Sequence, residues 1–269
     1  MKICCESLDY QFDLPERPER VICLVSAATE ALYAMGLGHR VVGVSRYCGR
    51  YIRDLNKPVA GDYLKIDKQH FAELAPDLVV VTTGLQRKLG LELANRGLPV
   101  YALPLPNSFY GILENNVVLG ALLNEIRAGR ELSLRMEAEA AAIRARSPLT
   151  RPRVYVELWF GRHMRSIGGL TYINDLVSIA GGDAIFADKR QGYFIPEFEE
   201  VVTKRPDVFL VFSEEAYPID PLDLIEQRRW KEALSVRIVE STVQRGQNLI
   251  QEGPSIVETA SWLQAQLHP

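Results

Sequence analysis

Residues able to do chemistry are scattered along this chain. The four histidines, His39, His70, His163 and His268, show neither H-E-x-x-H nor any paired spacing. A zinc or manganese site needs three or four converging ligands, so no metal site is expected. Cys4, Cys5, Cys23 and Cys48 all lie in the first fifth of the chain, and the only close pair is adjacent. That is neither a C-x-x-C zinc pattern nor a disulfide framework, and it reads as reduced thiols. No G-x-S-x-G elbow occurs, and Cys48 in "SRYCGRY" has no histidine beside it, which favours a small buried hydrophobe. Neither G-x-G-x-x-G nor a Walker sequence follows a strand, so nucleotide binding has no support. No catalytic residues are expected.

Two features remain. In "RVICLVSAATEALYAMG" (20–36) an apolar strand runs into a helix through a turn without glycine. Ser26 or Thr29 is expected to cap that helix, with Glu30 in its first turn matching the dipole. The second feature is a set of aromatic and polar residues just past strand ends. It comprises Tyr47, Tyr51 and Tyr63 in the first half. In the second half it comprises Trp159, Phe160, Arg162, Tyr193 and Phe194, then Gln244, Arg245 and Asn248. Aromatic faces with polar rims suit a large ligand with a flat or apolar surface. His163 stands apart from the other histidines because it follows a strand in "WFGRH".

The elements that must position these residues are legible in the pattern. Strand signals recur at 20–25, 40–45, 77–82 and 99–104, with helical patterns between them. This indicates βα units and a mostly parallel sheet. From Asn107 to Arg146 the strand signals stop, and two helices are expected with a break at Asn124 and Glu125. "SPLTRP" ends the second, since its prolines cannot continue a helix. A second α/β set follows, with strands at 153–160, 207–212 and 236–242, a helix at 171–182, and a last helix after "EGP". The halves echo each other: "FAELAPDLVVV" and "EEVVTKRPDVFLV" both run helix, Pro-Asp, buried strand. Two similar lobes joined by a long bridging helix, with a ligand cleft between them, is the expected architecture.

The totals set bounds. With 269 residues, 47% of them apolar, the chain can bury a large core. A net charge of −3 and an isoelectric point near 5.9 argue against nucleic acid as a partner. No run of about 18 apolar residues exists, so no helix is expected to span a membrane. "MKICCESLDYQFDLPERPER" lacks the apolar core of a signal peptide. Taken as it stands the sequence implies a cytoplasmic protein, or an extracytoplasmic (periplasmic) one if an export segment has been removed.

From Arg20 onward the chain resembles the helical-backbone (class III) substrate-binding proteins of ABC importers for cobalamin, iron siderophores and haem. "RVICLVSAATEALYAMGLGHRVVGVSRYC" is similar to that family's opening strand, Thr-Glu helix and second strand. "LAPDLVVVTTG", "SIGGLTYINDLVSIAGGDAIFAD", "RRWKEALSVR" and "QEGPSIVETASWLQAQLHP" resemble its later segments, in the same order. The "RYC" turn, the Trp230 segment and the Leu-His-Pro end look most like cobalamin-binding members. The resemblance implies two Rossmann-like α/β lobes at 18–108 and 151–269, with connecting helices including the bridging helix at 109–147. It implies a non-catalytic monomer that captures a metal chelate and passes it to an ABC permease. The ligand would be cobalamin, with ferric siderophore or haem as the alternative, and no cofactor is required.

The ligand residues it implies are Ser26, Thr29, Tyr47, Tyr63, Trp159, Phe160, Arg162, His163, Tyr193 and Arg245. Family members present one surface glutamate per lobe to the permease, and these positions fall at Gln69 and at Glu199 or Glu200. The arginine of the family's Gly-Pro-Arg is Ser255 here. Gln69 and the missing leader keep two alternatives open: a cytoplasmic cobalamin-binding or sensing protein, and an enzyme acting on such a cofactor through Cys48, His163 and a carboxylate.

Overall fold

The computed structural model describes residues 1–269, the side chain of Glu232 aside. The chain divides into two α/β units, Met1–Pro106 with Tyr110–Met136, and Asn107–Phe109 with Glu137–Pro269.

The first unit opens with a hairpin of β1 (Lys2–Cys5) and β2 (Tyr10–Asp13). Then follow β3 (Val21–Cys23), α1 (Ser26–Ala34), β4 (Val41–Ser45), β5 (Val59–Gly61), α2 (Lys68–Glu73), β6 (Leu78–Thr82), α3 (Arg87–Ala94) and β7 (Val100–Leu103). The sheet order is β5-β4-β3-β6-β7, and every pairing is parallel. Every residue of β3 and β6 is buried, as expected of parallel strands covered on both faces. Helices α4 (Phe109–Leu122) and α5 (Ile126–Arg146) come next, and the division between the units falls within α5. The break between them is where the sequence placed it, with Asn124 at φ +56°.

The second unit contains β8 (Arg153–Phe160), β9 (His163–Ile167), α6 (Tyr172–Ile179), β10 (Asp183–Ala184), β11 (Tyr193–Phe194) and α7 (Phe198–Lys204). It continues with β12 (Val208–Ser213), α8 (Pro221–Gln227), α9 (Trp230–Ala233), β13 (Arg237–Ser241) and α10 (Ile256–Leu267). Its sheet is mostly parallel, as expected, with an antiparallel flank that the sequence pattern did not announce. β8, β12 and β13 are parallel, but β9 folds back antiparallel on β8 and pairs in turn with β11. The cause lies in "FGRH": Phe160 pairs with His163 across a two-residue turn, and Gly161 at φ +59° supplies the backbone that a tight hairpin asks for. Side-chain caps start three helices: Asp67 at α2, Thr171 at α6 and Asp220 before Pro221 at α8. One face of the second sheet carries an aromatic core. There Tyr155 stacks on Phe209 with centroids 5.5 Å apart, and Trp230 meets both edge-on. No helix among the described residues is long and apolar enough to cross a membrane.

Helices α4 and α5 approach closely through two glycines. A Cβ on Gly129 would sit 2.5 Å from the Asn116 carbonyl oxygen, and one on Gly120 would sit 2.8 Å from that of Glu125. Both obstacles are backbone and cannot swing aside. Gly129→Ala is therefore expected to destabilise the protein by about 1–3 kcal/mol despite alanine's better helix propensity. Thermal unfolding followed by circular dichroism checks this, and an unchanged or raised midpoint would contradict it.

Candidate ligand-binding site

Both sheets share one topological feature. In the first, the chain moves outward from β3 through β4 and β5, then returns to β6 on the other side of β3. In the second, it leaves β8 for β9 and returns to β12 on the opposite flank. At such reversals the loops after two neighbouring strands run in opposite directions, leaving a crevice at the carboxyl ends where ligands bind in open α/β sheets.

In the first unit, Gln86 pins the reversal. Its side-chain nitrogen donates to the Leu24 carbonyl at 3.1 Å, and its oxygen accepts from the Thr82 backbone N–H at 3.0 Å. Ser26 is half-buried and is the first helical residue, because the N-cap position falls on Val25. The expectation that Ser26 or Thr29 caps α1 is thereby corrected. Glu30 lies beyond the first turn, and it is buried. Thr29 is fully buried, and its hydroxyl donates to the Val25 carbonyl at 2.8 Å. It also lies 3.3 Å from the Cys48 sulfur, which is 3.2 Å from the Ser45 hydroxyl. Thr29 is thus internal packing and not a rim residue. Nearby, burial foremost, and then Cys48, pushes the Cys23 thiol up to about 12. An enzyme using Cys48 would need an accessible thiolate, whereas this thiol is buried between two hydroxyls.

Tyr47 and Tyr63 follow the carboxyl ends of β4 and β5, and both are half-buried. The Arg50 guanidinium lies 5.3 Å from the Tyr47 ring centre. Asp62 accepts backbone N–H bonds from Leu64 and Lys65, 2.8 Å each, which fixes the turn carrying Tyr63.

In the second unit the reversal is clipped by Glu214, whose carboxylate accepts from the Gly161 N–H at 2.9 Å, tying the loop after β12 to the β8–β9 turn. Trp159 and Phe160 end β8 half-buried, while Arg162 and His163 are exposed on the hairpin. Tyr193 is 37% exposed and is hydrogen-bonded to Tyr172. Glu252 borders it from the loop before α10. Burial pushes the Glu252 carboxyl up to about 7, and burial followed by that carboxylate pushes the Tyr193 phenol up. Arg245, expected at the rim, is turned onto α10, where it bonds the Glu258 carboxylate at 2.6 and 3.0 Å.

The sequence reading missed a buried carboxylate. Glu157 is fully buried and accepts from the Tyr155 hydroxyl (2.6 Å), the Trp159 indole (2.8 Å) and both terminal nitrogens of Arg228 (2.7 and 3.0 Å). Burial foremost, then the charge of Glu157, pushes the Tyr155 phenol well up, so it remains a donor. The one charged residue inside the apolar strand "VYVELWF" was the available signal. On the surface, Gln69 is exposed and donates to Glu73 at 3.0 Å, Glu199 is exposed, and Glu200 is half-buried against Lys189 at 2.8 Å. No cluster of three metal-ligating side chains occurs among the described residues.

Residues 21–236 match the model of a family described as periplasmic binding protein. The chain belongs to that family. Its relatives include a cobalamin-binding protein of Halobacterium salinarum, 29% identical over 203 residues, 72% of this chain and 54% of that protein. The chain thus spans about half the length of that curated relative. A vitamin B12-binding protein of Vibrio parahaemolyticus is 28% identical, over 72% of this chain and 70% of its own length. Among solved structures, a possible iron-binding periplasmic solute-binding protein from Staphylococcus epidermidis superposes with a TM-score of 0.80 at 21% identity. That superposition covers 94% of this chain and all of the other. A periplasmic haem-binding protein of Vibrio cholerae gives 0.77 at 19% identity, covering 95% and 100%. These likenesses show that the chain has the two-lobed α/β fold.

The position of Glu252 makes a pH prediction. In the unfolded chain its carboxyl titrates near 4.5, and in the folded one near 7. A folded-state value raised in this way contributes stability that is complete below pH 4.5 and is lost as the pH rises through about 7. Denaturant unfolding at pH 4.5 and pH 8 should show Glu252→Gln gaining stability relative to the unsubstituted protein at the higher pH. An equal difference at both pH values would contradict the assignment.

Proposed function

We propose that this protein captures a corrinoid, without chemical conversion, for delivery to an ABC permease. The carrying observation is the placement of aromatic side chains at the carboxyl edges of both sheets. Tyr47 and Tyr63 follow β4 and β5 at one edge and Trp159 ends β8 at the other, while Tyr193 opens the outer strand β11. Such rings offer broad apolar faces to a corrin and its methyl-rich periphery. Relatives named for cobalamin and vitamin B12 support the choice of ligand. Phe160, Arg162 and His163 are placed to meet the ligand's amide side chains, and Ser26 does so from the first unit. Thr29 supports the α1 turn from inside. Ser26, Tyr47 and Tyr63 serve the site from the first unit, and the β8–β9 hairpin and Tyr193 from the second.

Glu199, exposed at the start of α7, is the docking carboxylate of the second lobe, since Glu200 is engaged by Lys189. In the first lobe the corresponding contact is a neutral one through Gln69. An exposed ion pair contributes about 0–1 kcal/mol, so its absence on one side leaves docking intact. The protein works as a monomer outside the cytoplasm.

Isothermal titration with cyanocobalamin, haem and a ferric catecholate tests the reading. Cyanocobalamin should bind in the micromolar range or tighter, ahead of the other two. Tyr47→Ala should weaken it about tenfold, a loss of about 1.4 kcal/mol. Heat with haem or the catecholate alone would move the ligand to the iron-chelate class, and no heat with any of them would remove the capture function.

A further inference from the structure

The buried network around Glu157 has no part in metal binding or catalysis, yet it ends on Trp159. Tyr155, Glu157 and Trp159 are alternate residues of β8 and share one face of the strand. Glu157 is fully buried and is surrounded by four donors, which fills the acceptor capacity of a carboxylate. Its counter-charge comes from Arg228, just past α8, as a two-pronged contact. That guanidinium is itself held against two rings, 4.1 Å from the Phe198 centre and 4.9 Å from that of Trp230. The Arg228 side chain is only 11% exposed, so neither charge can exchange its partner for water. The last of the four bonds, 2.8 Å long, fixes the indole N–H of a tryptophan that is half-buried at the carboxyl end of the strand.

We propose that Glu157, backed by Arg228, is a positioning residue that locks the plane of the Trp159 ring, so that the indole presents a preset face to the ligand. This rests on the assignment of Trp159 to the ligand site. The indole N–H points inward to the carboxylate and not toward the ligand. Trp159 therefore contributes stacking surface and no hydrogen bond. Its orientation is set before the ligand arrives, which spares the ordering of a large side chain on binding.

A double-mutant cycle on cyanocobalamin affinity reads this directly, using Glu157→Gln, Trp159→Phe and the combined variant. Glu157→Gln should weaken binding about tenfold in the parent and less than twofold in the Trp159→Phe background, since without the indole there is nothing left to orient. A general loss of structure would cost the same factor in both. The charge-balanced pair Glu157→Gln with Arg228→Met keeps an acceptor for the indole without a buried unpaired charge, and should recover affinity to within about threefold. The Trp159 indole resonance in a proton–nitrogen correlation spectrum, without ligand, should shift in Glu157→Gln and return toward its parent position in the pair. Equal losses in both backgrounds, an unmoved indole signal, or a Trp159→Phe protein that binds as the parent does would each overturn the proposal. A parent protein that binds no cyanocobalamin overturns the ligand reading beneath it, a distinct result.

Discussion

The reversal of strand order in each sheet is the constraint on which the arrangement of the loops depends. Parallel strands end on one edge, so their connecting loops gather there, and the reversal prevents those loops from closing over one another. What a loop presents at that edge is then decided by the length of its strand and by whatever fixes its first turn. Gln86 bridges Leu24 and Thr82 at one reversal, and Glu214 holds Gly161 at the other. A neutral amide and a carboxylate thus do the same job, because each satisfies backbone groups that the diverging strands leave without ladder partners.

The two units reach comparable edges by different chemistry. In the first, the interior near the edge is held by small groups: the Cys48 thiol lies 3.3 Å from the Thr29 hydroxyl and 3.2 Å from the Ser45 hydroxyl. In the second, a buried ion pair and a packed aromatic core take that place. A buried ion pair is weak evidence for stability, because the desolvation of both charges offsets most of their attraction. The bond from the Trp159 indole to the same carboxylate is what the proposed orienting role rests on.

Much of the fold was legible in the sequence. The strands within 20–25, 77–82 and 153–160 announced themselves because apolar runs bounded by turn residues have few other uses, and the helix break at Asn124 carried its own left-handed residue. The strands β1, β2, β5, β9, β10 and β11 were not found, since none of them lies in a sustained apolar run that separates it from loop. Missing β9 hid the antiparallel flank of the second sheet, although the Gly161 hairpin stood in plain view in "FGRH". Of the proposed site residues, Tyr47 and Tyr63 were identifiable as aromatics past strand ends and Trp159 as one at the end of its strand. Thr29 and Arg245 were misjudged for a shared reason. Proximity to a strand end says nothing about which way a side chain turns, and each is drawn off the edge by a nearby partner, the Val25 carbonyl and the Glu258 carboxylate. Glu157 went unnoticed because its partner Arg228 lies 71 residues away.

The central claim is that the aromatic residues at the two carboxyl edges receive the ligand. A crystal structure of the protein grown with cyanocobalamin tests it most directly. The account predicts a corrin stacked on rings from the set Tyr47, Tyr63, Trp159 and Tyr193, its cobalt ligands and side chains chemically unchanged. A corrin bound away from these rings, or one altered in the process, would contradict it.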